Sequence, residues 1–195
     1  PCYTHGDPVR GIMSCMSCHT MHPGESSDLD AWADDQLKPG MRGNRACLQC
    51  HEDYQGEALT RHTHHASGSS GSLCYNCHMP YTTYGLLKGI RSHTIDVPSV
   101  RTAQETGRPL ACNQCHLDQT LAWTANRLEA WYGISPPPLS PEDENLAASV
   151  RWTLQGDAGQ RALMAWNFGW EPARDASGES WIPPYLIILL NDPYD

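Results

Sequence analysis

The sequence predicts a mainly α chain with much irregular loop, its first part organised around something other than its own side chains. Three observations predict this. Four copies of one five-residue motif, Cys-x-x-Cys-His, punctuate residues 1–120. Only 39% of the 195 residues are hydrophobic and one is Phe, so the apolar side chains alone form a thin core. Helical periodicity becomes clear only after residue 120, where six of the seven Trp lie.

The motifs are Cys15-Met16-Ser17-Cys18-His19, Cys47-Leu48-Gln49-Cys50-His51, Cys74-Tyr75-Asn76-Cys77-His78 and Cys112-Asn113-Gln114-Cys115-His116. Each is an attachment signature for a c-type haem. The two thiols add to the vinyl groups at one porphyrin edge, and the adjacent His swings under the ring as an axial iron ligand. The four copies use eight of nine cysteines and four of ten histidines. A zinc ribbon needs no His after each second Cys. A disulfide framework would not place all but one cysteine in identical motifs. Thioredoxin-type pairs need a βαβ context that is missing here. The expected cofactors are therefore four haem c groups, each with its iron. Cys2, the odd cysteine, has no assigned role.

About 49 residues per haem make the porphyrins much of the expected core, and a fold of this kind forms together with its cofactor. The first cysteines are separated by 32, 27 and 38 residues, so the haem-binding segments follow no strict repeat. Strand signals are nearly absent. Residues 1–120 are read as a tetrahaem domain and residues 121–195 as a helical tail.

In the tail, Leu117, Leu121, Ala125, Leu128 and Tyr132 share one helical face, ended by Gly133 and a Pro136-Pro137-Pro138 linker. Ser140-Pro141-Glu142-Asp143 reads as an N-cap, a Pro at the first helical position and early acids. The helix after it is expected to turn Leu146, Val150, Thr153 and Leu154 inward and to end at Gly156. A third helix is expected near Ala158–Phe168, stopped by Gly169 and Pro172. A fourth, buried one is expected from Trp181-Ile182-Pro183 to Asn191-Asp192-Pro193. Such short paired helices look like a HEAT-type repeat; a plain helical cap over the last haem is the other reading.

Four haems need eight axial ligands. His19, His51, His78 and His116 supply the proximal four. His5, His22, His62, His64, His65 and His93 remain for four distal positions. His22 is expected to ligate a neighbouring haem rather than its own. If Arg61–His65 is helical, His62 and His65 share a face and His64 is the surplus. His93 is free to approach another haem, and His5 one in this chain or a neighbour. The surplus of His makes Met21, Met41 and Met164 unnecessary as ligands, so bis-His iron is expected.

The formal net charge is −9, and each ferric haem with two ionised propionates adds about −1. That argues against nucleic acid and anionic membranes as partners and leaves redox proteins, self-assembly or a larger multihaem complex. No apolar run approaches the roughly 20 residues of a transmembrane segment. Haem c is attached outside the cytoplasmic membrane, so the chain is expected to be exported, periplasmic or extracellular, and reads as a mature form or a fragment.

His62-Thr63-His64-His65-Ala66 through Cys74-Tyr75-Asn76-Cys77-His78-Met79-Pro80, then Thr83-Tyr84-Gly85-Leu86-Leu87, Ile90-Arg91-Ser92-His93 and Ala111-Cys112-Asn113-Gln114-Cys115-His116, resemble multihaem c-type cytochromes. The chain looks related to the nitrite reductase, octahaem reductase and hydroxylamine oxidoreductase lineage. The resemblance implies closely stacked haems, alternately parallel and perpendicular, with His62, His65 and His93 at distal positions. By size and haem count it also resembles extracellular tetrahaem cytochromes that polymerise into conducting filaments. Closed bis-His sites imply electron transfer. A reductase of nitrite, hydroxylamine or a sulfur oxyanion would need one open haem. The nitrite reductases that this chain resembles typically use a Lys in place of the proximal His at that haem, and all four motifs here end in His.

Overall fold

The computed structural model describes residues 11–24, 28–84 and 89–193. His5, Cys2 and the Gly85–Leu87 stretch lie outside the described residues. The chain is mainly helical with irregular loops. It divides at Tyr75/Asn76 into two compact units, so the fourth motif shares a unit with the tail helices.

In the first unit, short helices alternate with loop: α1 (Cys15–Cys18), α2 (Leu29–Asp35), α3 (Arg45–Leu48), α4 (Glu57–Thr63) and a 3-10 turn at Ser70–Ser72. α5 (Cys74–His78) spans the division. The Gly, Ser and Pro content of this stretch supplies few apolar side chains to pack. Among its described residues only Leu59 and Ser72 are buried.

α4 ends at Thr63, so the condition that Arg61–His65 be helical is not met. His64 adopts the left-handed conformation (φ 56°) and its N–H closes on Thr60 O at 2.8 Å. His tolerates this region better than most residues. His65 therefore lies past the helix, and the expected shared face of His62 and His65 does not form.

The second unit opens with a two-stranded antiparallel hairpin, β1 (Tyr81–Thr83) and β2 (Gly89–Arg91), in register Tyr81↔Arg91. The sparse strand signals of the sequence hid it. The helices are α6 (Val100–Thr106), α7 (Ala111–Cys115), α8 (Leu121–Tyr132), α9 (Pro141–Asn145), α10 (Ala148–Gln155), α11 (Ala158–Gly169), α12 (Glu171–Ser177) and α13 (Pro183–Leu189). Their shared core includes Val100, Leu117, Leu121, Trp152, Leu163 and Phe168.

α8 starts where Thr120 Oγ1 accepts from Trp123 N (3.0 Å) and stops at Gly133, whose φ of 68° suits a residue without Cβ. Leu121, Ala125 and Leu128 face the core. Leu117 is fully buried ahead of the helix, whereas Tyr132 is exposed. Ser140 caps α9 through a reciprocal bond with Asp143, and Pro141 occupies its first turn as expected.

The next helix is split. Ala147 bridges to Thr120, and Ala148 N donates to Gln119 O at 3.0 Å. That break resets the helical phase. Trp152, Thr153, Ala148 and Ser149 turn inward, while Leu146 and Leu154 are exposed, so the expected inward face holds only at Thr153 and, half-buried, at Val150.

α11 ends at Gly169, but Pro172 lies in the first turn of α12 rather than stopping a helix. α13 forms near the expected place, yet Leu186, Ile187, Ile188 and Leu190 are exposed, correcting its expected burial. No described helix is long and apolar enough to cross a membrane.

Candidate haem-binding site

Each motif wraps into a single helical turn. His19, His51 and His116 each donate their backbone N–H to the carbonyl of the first motif cysteine, at 2.9, 3.0 and 2.8 Å, and His78 ends α5 itself. A turn of this kind puts the two cysteines, three residues apart, on one face with the His directly after them. None of the eight motif cysteines is in a disulfide. This is the local geometry that covalent attachment to one porphyrin edge requires.

The imidazoles are oriented by backbone carbonyls. His19 Nδ1–H donates to Asp35 O at 3.0 Å, and His78 Nδ1–H to Asp96 O at 2.7 Å. The His78 clamp is reciprocal, since Asp96 N donates to His78 O at 3.0 Å. Of the proposed distal set, His65 Nδ1–H donates to Thr63 O (2.6 Å) and His93 Nδ1–H to Arg91 O (3.0 Å). A carbonyl only accepts, so Nδ1 carries the proton in all four. In the neutral ring the lone pair then sits on Nε2, the arrangement that ligating histidines use.

The His116 ring packs 5.0 Å from Trp123, and the His62 ring 4.6 Å from Tyr54, which is itself 6.4 Å from His51. His22 is exposed, and its carbonyl accepts from Thr20 Oγ1 at 2.8 Å. His65 is pressed onto Gly71: a Cβ there would lie 2.1 Å from His65 Cδ2. Met164 is fully buried in the helical core and serves packing.

Neighbouring motifs are joined through residues that sequence reasoning passed over. Gln49 Nε2 of the second motif points at Cys18 Sγ of the first, at 4.0 Å. Asn44, just ahead of the second, accepts from Cys74 N and donates to Ser72 O, both at 2.8 Å. In the second unit, Arg91 Nη2 donates to Asn76 Oδ1 at 2.5 Å, and Gln114 Nε2 to Tyr81 O at 2.8 Å. Asn113, fully buried, donates to Gln119 O at 3.0 Å and accepts from Thr124 Oγ1 at 2.8 Å. An amide at the second variable position of three motifs (Gln49, Asn76, Gln114) was the available signal.

Environment separates the thiols. Burial, reinforced by the nearby Cys77 thiol, pushes Cys112 and Cys115 up to about 12. A hydrogen bond from the Cys47 thiol lowers Cys74 to about 7. Beside Cys77, a shallow groove is walled by Pro80, Val97, Pro98 and Leu110, with Arg108 on its lining. Arg108 is held by Ser92 Oγ at 3.1 Å.

Among the described residues no three His, Cys, Asp or Glu side chains converge on one point; a haem iron would ask the protein for two axial ligands, for which His19, His65, His78 and His93 present Nε2 lone pairs. No family model, curated protein or solved structure matches this chain.

Proposed function

We propose that this chain is an exported electron carrier holding four covalent haem c groups, a multihaem cytochrome. The observation that carries the reading is the fourfold anchoring of imidazole Nδ1 on backbone carbonyls, at two motif histidines and two distal candidates. Cys15, Cys18, Cys47, Cys50, Cys74, Cys77, Cys112 and Cys115 would hold the porphyrins. His19, His51, His78 and His116 would be the proximal ligands. His62, His65, His93 and His22 would supply the distal ones, with His5 as a further candidate.

A haem bound at each motif supplies a reversible one-electron Fe(III)/Fe(II) couple. With both axial positions filled, no site is left for substrate, and the use that remains is passing electrons. Contacts between successive motifs favour closely spaced groups. The first unit, with one buried apolar side chain among its described residues, has the composition of a shell that folds onto a cofactor. The tail reads as a helical cap, or a HEAT-like pair, behind the fourth motif.

Pyridine haemochrome counting with electron paramagnetic resonance of the oxidised protein tests this. Four haems, all low spin, are expected. A haem-free protein would overturn the proposal. A clear high-spin haem would overturn the carrier role and point to reduction of nitrite or hydroxylamine.

A further inference from the structure

We propose, resting on the haem reading, that Arg91 is the fixed positive charge that raises the reduction potentials of the third and fourth haems together. Its guanidinium is held on several sides. Nη2 donates to Asn76 Oδ1 inside the third motif (2.5 Å), and Nη1 to Met79 O, directly after His78 (3.3 Å). Its central carbon lies 4.1 Å over the Tyr81 ring. Tyr81 is in turn packed by Trp166 of α11 and by Trp170, just past the end of α11, with ring centroids 4.1 and 5.5 Å away. The Tyr81 carbonyl accepts from Gln114 of the fourth motif. The hairpin pair Tyr81↔Arg91 therefore bolts one motif to the other and leaves a guanidinium at the junction.

That charge is permanent, because Arg does not deprotonate in proteins. Its setting is part-buried and Asn76 is only 8% exposed, so water screens it less than a surface charge. It is tied to the fourth motif through its strand partner Tyr81, whose carbonyl accepts from Gln114 Nε2 at 2.8 Å. A nearby cation favours whichever state of a centre carries one more electron. The first motif has a cation too, Lys38, which donates to Met16 O, but in an exposed setting that salt screens.

A purely structural clamp and an electrostatic one differ in what a neutral replacement does. Arg91→Gln keeps a hydrogen-bonding side chain and removes the charge. Spectroelectrochemical titration of the holoprotein, with dithionite as the one-electron reductant and ferricyanide as the oxidant, reads the four haem couples. In R91Q two of the four are expected to shift toward the oxidised state by roughly tenfold in equilibrium constant, about 59 mV for a one-electron couple. Arg91→Lys should recover at least half of the shift. Arg101→Gln, an exposed arginine on α6, should shift none. R91Q with four haems and unmoved potentials overturns the role of Arg91, as does a Lys variant that behaves like Gln. A wild-type protein without haem overturns the cytochrome reading itself.

Discussion

Replacing all eight motif cysteines by alanine should unfold one unit of this protein and spare the other. In the first unit Leu59 is the one described apolar side chain that is buried. Its burial contributes about 2 kcal/mol, which ordering one or two backbone residues offsets. The local hydrogen bonds that hold His19 and His65 then lack an apolar core behind them among the described residues. The second unit keeps Leu117, Leu121, Trp152, Leu163, Phe168 and their neighbours in a shared core. Hydrogen exchange read by mass spectrometry on the substituted chain should show amides of residues 28–73 exchanging nearly as fast as in an unfolded peptide. Amides of α8, α10 and α11 should remain protected by at least 100-fold, corresponding to about 3 kcal/mol of opening free energy. Comparable protection in both units would refute the claim that the first unit draws its core from the cofactor.

Two further substitutions probe the site. Asn113→Ala leaves the buried Thr124 hydroxyl and the Gln119 carbonyl without their amide partner, and should cost about 2–4 kcal/mol in chemical denaturation of the second unit. A loss under 1 kcal/mol would show that water replaces the amide. Gly71→Ala drives a methyl into the His65 ring and should displace it. Electron paramagnetic resonance of that variant should show about one haem in four turning high spin; an unchanged low-spin spectrum with four haems removes His65 from the ligand set.

How much of this was legible beforehand depends on the range of the interaction. The motif turns, the Gly133 stop and the Ser140-Pro141 start rest on contacts within four residues, and a sequence displays those directly. The break at Leu146–Ala147 arises because Ala147 pairs with Thr120, 27 positions earlier, so periodicity alone carried the helix through it. His64 ended α4 through a backbone conformation rather than a Gly or Pro signal. Pro172 was read as a stop when its place in a first turn made it a start. At the site, the proximal histidines were named by their motif. The carbonyls that orient two of them, Asp35 and Asp96, lie 16 and 18 residues away. Any residue type offers a carbonyl, so composition holds no trace of that role. Arg91 entered only as part of the Ile90-Arg91-Ser92-His93 segment; the hairpin register is what places it over Tyr81.

The buried amides of the later motifs bear on whether the four Cys-x-x-Cys-His segments are interchangeable parts. Met16 is exposed in the first motif, whereas Asn113 and Gln114 in the fourth are almost fully enclosed and hold the carbonyls of Gln119, Tyr81 and Pro109. Grafting the fourth motif's central dipeptide into the first would place two amides at or near the surface. The reciprocal graft would put Met and Ser where three carbonyls expect donors. The Cys-x-x-Cys-His pattern is identical at all four places, so on the proposed function a transplanted segment keeps its attachment residues while its host unit fails to close. In the third and fourth motifs of this chain the residues that the pattern leaves unspecified tie the segment to its own surroundings.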